Sequence, residues 1–175
     1  RSSLTRRVAA RQHGRPIYYL TANFQVPEDG LEHQDAMPEV VAPEDAVDMV
    51  EMMRRGGTPE ADALAKEWAA LGARWIGDSR RGLPEDPVHP SRSRLWLRVE
   101  GDLGDDPTAH LAAFTYASDI SLLGATLAAH PVGSEQTQMA SLDHTIWFHQ
   151  PFRADEWWLY DQVSPAARGG RGLAI

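Results

Sequence analysis

The chain of 175 residues contains no cysteine, so disulfides and thiolate chemistry are excluded. It also lacks a basic stripe or any nucleic-acid-binding motif. The formal charge is −8, and residues 28–62 alone hold eleven acids against two arginines, which leaves the remainder near neutral. Nucleic acid is therefore not an expected partner. There is no HExxH spacing, no P-loop and no nucleophile elbow. No metal is expected, because His144 and His149 stand five apart, on opposite faces of one expected strand. No targeting segment is read from a chain that opens on Arg1, and the cytosol is the default compartment.

Charge is also scarce in one long run. Between His110 and His130 the only formally charged residue is Asp119. Asp106 is a good N-cap and Pro107 a good first helical residue, so residues 107–130 are expected to form a helix, apolar all round and buried. A membrane span is the rival reading, disfavoured by the central Asp, the many Ala, Ser and Thr residues, and the absence of flanking Lys or Arg clusters. A carboxylate inside such a helix must be hydrogen-bonded or desolvated, which makes Asp119 a candidate base or water-positioner.

What is present in quantity is aromatic and alternating. The stretch MASLDHTIWFHQPFRADEWWLYDQ (residues 139–162) reads as two strands broken at Pro151. Alternation puts Ser141, Asp143, Thr145 and Trp147 on one face and Leu142, His144, Ile146 and Phe148 on the other. Further strands are expected at 74–78 and 93–101, and a hairpin at 4–12 and 16–26 turning at His13 and Gly14. Within the acidic block, residues 42–55 and 58–71 read as short helices separated by Gly56 and Gly57, the second capped by Thr58. Ser141, Asp143 and His144 evoke a hydrolytic triad, but alternation turns His144 away from the other two. His144 is therefore read as a hydrogen-bonded structural histidine. Trp147, Trp157 and Trp158 are expected to be buried in the sheet–helix or a subunit interface, with the border of a ligand tunnel as the alternative.

The run YASDISLLGATL at 116–127, followed by MASLDHTIWFHQPFRADEWWLYDQVSPAARGGRGLAI at 139–175, resembles the acyl-CoA thioesterase II family. The resemblance extends to RSSLTRRVAARQHGRPIYYLTANFQ and GLEHQDAMPEV near the front. It implies an α+β double hot-dog fold, an antiparallel sheet wrapped around a long central helix, incomplete at both ends. Residues 1–42 would be the tail of the first hot-dog unit, 43–90 an acidic connector with short helices, and 91–175 most of the second unit. The implied activity is hydrolysis of acyl-CoA to free CoA and fatty acid, within fatty acid metabolism, with no cofactor and with acyl-CoA as the partner molecule. A homo-oligomer is expected from exposed sheet edges.

Residue by residue, Asp119 matches the Asp of the family's YxSD motif and Ser141 the Thr or Ser before its LDH or IDH tripeptide. These two are the catalytic residues the resemblance implies. A third, a Gln, would lie beyond Ile175, and Gln25 looks like its counterpart in the first half without taking that role. Gln150 stands where the family commonly has Arg, and Arg168 or Arg171 could reach the phosphates of CoA. The alternatives are a hot-dog enoyl-CoA hydratase, which would need a His and Asp pair on the helix, and an acyl-CoA binding or assembly module without turnover.

Overall fold

A computed structural model describes residues 3–133 and 136–175. The chain divides into two compact units, Arg1–Pro38 and Glu39–Ile175. In the first, strands β1 (Ser3–Gln12) and β2 (Arg15–Gln25) pair antiparallel. His13 and Gly14 join them with φ of 50° and 78°, the left-handed pair that a two-residue hairpin requires. Register puts Leu4 opposite Phe24, Val8 opposite Leu20 and Ala10 opposite Tyr18 on one face. The other face carries polar pairs, including a 2.7 Å hydrogen bond from Thr5 to Asn23 and Arg7 over the ring of Tyr19.

The second unit is built on one antiparallel sheet in the order β3 (Val47–Asp48), β4 (Leu71–Asp78), β5 (Arg92–Val99), β6 (Trp158–Val163). Its two faces differ as an antiparallel sheet with one solvated side should. Leu95, Leu97, Trp158, Tyr160 and Gln162 alternate onto the face that meets the helices, and Leu95, Leu97 and Gln162 are fully buried. The opposite face carries a charge ladder in which Asp161 accepts from both Arg92 and Arg94. Beside it the ring of Trp157 stacks against Arg98 and Arg74.

Residues 42–55 do not form one helix. Asp48 is extended, pairs as β3 with β4, and caps a shorter helix α1 (Met49–Arg55) by accepting from the Glu51 N–H at 2.9 Å. Helix α2 (Pro59–Glu67) starts at its Thr58 cap and gives way to a 3-10 turn at Trp68–Ala70 that leads into β4, so it ends short of residue 71. Trp68, Ala73, Leu95 and Leu97 form the core, with Met49, Met53, Ile120, Trp158 and Tyr160 packed around them.

The apolar run also departs from a single buried helix. Helix α3 (Pro107–Asp119) starts as expected, Asp106 accepting from Thr108 N–H, but it stops at Asp119, and α4 (Leu122–Leu127) follows. Hydroxyls explain part of the break. Thr115 bonds back to Leu111 O and Ser118 to Thr115 O, a pattern that bends helices, and Gln162 holds the hydroxyl of Ser121 at 2.7 Å in the gap. Only one stripe of α3 is buried, through His110, Ala117 and Ser118, so Asp119 lies at an exposed helix end rather than inside a buried helix. Among the described residues no helix is long and apolar enough to cross a membrane.

A second correction concerns residues 139–149, which form no strand. No neighbouring strand pairs with this segment among the described residues, and without a ladder nothing enforces alternation or burial. Trp147 is 74 % exposed, against the expectation of burial, and Leu142 is 82 % exposed. The Gly-rich stretch near the end is a small hairpin, β7 (Ala166–Arg168) and β8 (Arg171–Leu173), turned by Gly169 and Gly170 at positive φ. Beyond it, Ile175 exchanges two 2.8 Å backbone hydrogen bonds with Val163.

Leu97 has no exposed surface and belongs to the core cluster, so Leu97→Ala should cost about 3 kcal/mol in urea unfolding, whereas Leu142→Ala should stay within about 0.5 kcal/mol. Equal costs would mean the sheet–helix seam is not the core.

Candidate active site

The last residue of α3 and the unpaired segment that follows α4 meet at one carboxylate. Ser141 Oγ donates to Asp119 Oδ1 at 3.2 Å. His144 Nδ1 lies 3.4 Å from the same oxygen, and its Nε2 lies 3.3 Å from Ser118 Oγ. The Asp119 side chain is 55 % exposed and that of His144 26 %. The two residues that the resemblance implies are thus brought together. His144 joins them although strand alternation placed it on the opposite face, because the segment is not held in a strand. Asp143 forms no hydrogen bond or ion pair with this group.

Strand β6 fixes the helix end from below. Tyr160 donates its hydroxyl proton to Ser118 O at 2.8 Å, and Gln162 donates to Ser121 Oγ at 2.7 Å, so the residues on either side of Asp119 are both tied to the sheet. Burial pushes the Tyr160 hydroxyl up to about 12, opposed by a hydrogen bond from Gln162 and reinforced by the charge of Asp119. A phenol held neutral in this way is a permanent donor at neutral pH. The Oε1 of Gln162 is buried without a hydrogen-bond partner among the described residues. Phe114 of α3 packs on Trp158 with ring centroids 4.5 Å apart, which seats the helix one turn earlier.

His110 is a different kind of histidine. Its Nδ1 accepts from Ala154 N–H at 3.2 Å, so Nε2 carries the proton and donates to Gly104 O at 2.9 Å. This buried neutral ring ties the start of α3 to two loops. The adjoining loop is held by Arg153, whose guanidinium lowers Asp155 to about 2. Sequence reasoning did not single out Tyr160 or Gln162; the available signal was their i, i+2 spacing on a strand facing the helix.

The other expected groups are not drawn into the site. Among the described residues His149 and Gln150 find no side-chain hydrogen-bond or ion-pair partner, and Arg168 and Arg171 lie on the exposed β7–β8 hairpin. A cavity of about 230 Å³ lies elsewhere, between the 83–87 loop and Arg92 and Arg94. Both arginines are already paired there, with Asp86 and Asp161. Among the described residues, no group of three or more His, Asp or Glu side chains could hold a metal ion.

An antiparallel sheet laid against a helix that ends in a hydroxyl-bonded carboxylate defines an α+β protein of the hot-dog class. The acyl-CoA thioesterase family model matches residues 84–175, and the chain belongs to that family. It is 34 % identical to human acyl-coenzyme A thioesterase 8 over 183 aligned residues, which cover 96 % of this chain and 56 % of the relative. It is also 34 % identical to acyl-CoA thioesterase 2 of Haemophilus influenzae, covering 95 % and 59 %. The crystal structure of an acyl-CoA thioesterase II from Mycobacterium marinum superposes with a TM-score of 0.82 at 39 % identity, covering 99 % of this chain and 60 % of that one. The chain thus spans a little over half the length of the curated relatives it matches.

The elevated Tyr160 value has a testable sign. A folded-state value above the unfolded one, about 10, stabilises the fold fully below pH 10, and that contribution is lost as pH rises from 10 towards 12. Tyr160→Phe should therefore flatten the fall of stability over this range and, at neutral pH, cost about 1 kcal/mol for the lost hydrogen bond to Ser118. An unchanged alkaline slope in chemical denaturation would show that Tyr160 is not the late-titrating tyrosine.

Proposed function

We propose that the protein hydrolyses acyl-CoA thioesters to free CoA and a fatty acid, with Asp119 as the base and Ser141 as the residue that helps hold the attacking water. The observation that carries this reading is the hydrogen bond from Ser141 Oγ to Asp119 Oδ1. A hydroxyl has one proton. Since Ser141 spends it on the carboxylate, its lone pairs face outward as acceptors. A water can then donate one proton to Ser141 Oγ and the other to Asp119 Oδ2, which accepts no hydrogen bond from a described residue. Its own lone pair is left for the thioester carbonyl carbon.

Such a water needs no covalent enzyme intermediate. Attack gives a tetrahedral adduct as the water proton passes to Asp119, and collapse expels the CoA thiolate, which recovers a proton. The reading draws on the family, whose curated relatives carry the name acyl-CoA thioesterase. The third residue that the resemblance implies, a Gln, is not in this sequence, and its part in holding the water belongs to the same proposal.

Continuous thiol release from a medium-chain acyl-CoA tests it. Asp119→Asn should lower kcat by about 100-fold or more, and Ser141→Ala by roughly ten- to a hundred-fold. Equal release by Asp119→Asn and the parent would remove Asp119 from the chemistry. Tight binding of acyl-CoA without any thiol release by the parent would replace hydrolysis with a binding role.

A further inference from the structure

Two side chains approach one oxygen of Asp119, Ser141 by a hydrogen bond and His144 by a charge contact. Ser141 Oγ lies 3.2 Å and His144 Nδ1 3.4 Å from Oδ1, while Oδ2 receives nothing from a described residue. We infer that His144 is a positioning residue for the carboxylate: a hydrogen on Nδ1 attracts Oδ1, so that Oδ2 is the oxygen presented to water. This rests on the reading of Asp119 as the base.

The protonation of the ring follows from its neighbours. A carboxylate oxygen can only accept, so the 3.4 Å approach of Nδ1 is attractive where Nδ1 carries hydrogen, which is the state this inference assigns. On the other side Ser118 Oγ sits 3.3 Å from Nε2 and 3.0 Å from Thr115 O. If Ser118 donates to Thr115 O, its lone pair accepts from Nε2–H and the ring is a cation. If Ser118 turns to donate to Nε2, the ring is neutral with its proton on Nδ1. Both arrangements leave Nδ1 as the protonated nitrogen facing Asp119.

At 3.4 Å the Nδ1 contact is long for a hydrogen bond and acts on Oδ1 through charge and the ring's N–H dipole. The supporting network is continuous. Tyr160 fixes Ser118 through its carbonyl, Ser118 meets His144 through its hydroxyl, and His144 meets Asp119. Ser141 and His144 lie three residues apart on the same segment, so one backbone path delivers both side chains.

Two measurements decide it. Nitrogen-15 NMR of the parent should show a protonated Nδ1 on His144 whose resonance moves in Asp119→Asn; a ring with bare Nδ1 overturns the inference without any variant of His144. In thiol release, the side-chain amide of His144→Asn takes roughly the place of Nδ1 and that of His144→Gln roughly the place of Nε2. His144→Asn should therefore stay within about threefold of the parent kcat, while His144→Gln and His144→Ala fall by about tenfold with KM unchanged, as for loss of one positioned donor. In an Asp119→Asn background the His144→Ala loss should vanish. Equal kcat for the Asn and Gln variants, or an undiminished loss in that background, would show that the ring only fills space. An Asp119→Asn variant with parental activity would instead defeat the base assignment itself.

Discussion

The site depends on where helix α3 stops. Thr115 and Ser118, bonded back to carbonyls of their own helix, bend the run where it ends at Asp119, although the next residues, Ile120 to Leu123, are competent helix formers. The sheet holds the run on both sides of that point. Tyr160 takes the carbonyl of Ser118 as its acceptor and Gln162 takes the hydroxyl of Ser121, two residues apart on β6 and three apart on the helical run. Between the two tethered points the backbone leaves regular helical geometry at Ser121, with φ of −114° and ψ of −10°. Asp119 sits between those points, with its side chain directed outward rather than into the core.

This arrangement accounts for how much could be read from the residues alone. The start of α3 was legible because a cap is local chemistry: Asp106 and Pro107 act within one turn. The hairpin at His13 and Gly14 was legible for the same reason. The end of α3 was not, since it is held in part by side chains some forty residues away whose partners depend on sheet register. Nor was the meeting of Ser141 with His144. Period-two reasoning separates them, but it holds only for a strand paired in a ladder, and residues 139–149 have none. The exposure of Trp147 is the same error seen from the other side: aromatic composition predicted burial, and burial requires something to pack against.

The outer face of the sheet shows why arginine-rich composition did not make an anion site. Arg92 and Arg94 share Asp161, Arg92 also meets Asp86, and Arg98 pairs with Glu100. Each guanidinium is met by a carboxylate from the neighbouring strand or an adjoining loop. Their contribution to stability is modest, because charges at the edge of water gain little after desolvation and side-chain ordering. Their effect on register is larger, since slipping β6 by one residue would move Asp161 to the helix face and Gln162 to the charged one. The charge ladder and the helix stop are therefore one constraint viewed from the two sides of β6.

The order of the three groups at the site also bears on the kind of chemistry it can support. In a serine-nucleophile relay the imidazole stands between hydroxyl and carboxylate, so that it can take the hydroxyl proton. Here the carboxylate stands in the middle, with Ser141 donating to Oδ1 and His144 Nδ1 lying 3.4 Å from the same oxygen. Ser141 has no imidazole to deprotonate it, and its proton already faces an oxygen far too weakly basic to generate an alkoxide. The serine is arranged as a holder rather than a nucleophile. In the proposed hydrolysis, proton abstraction is left to the other carboxylate oxygen, and the acid it deprotonates there is a water pressed against an electrophile. A thioester carbonyl is a suitable electrophile for so mild a base.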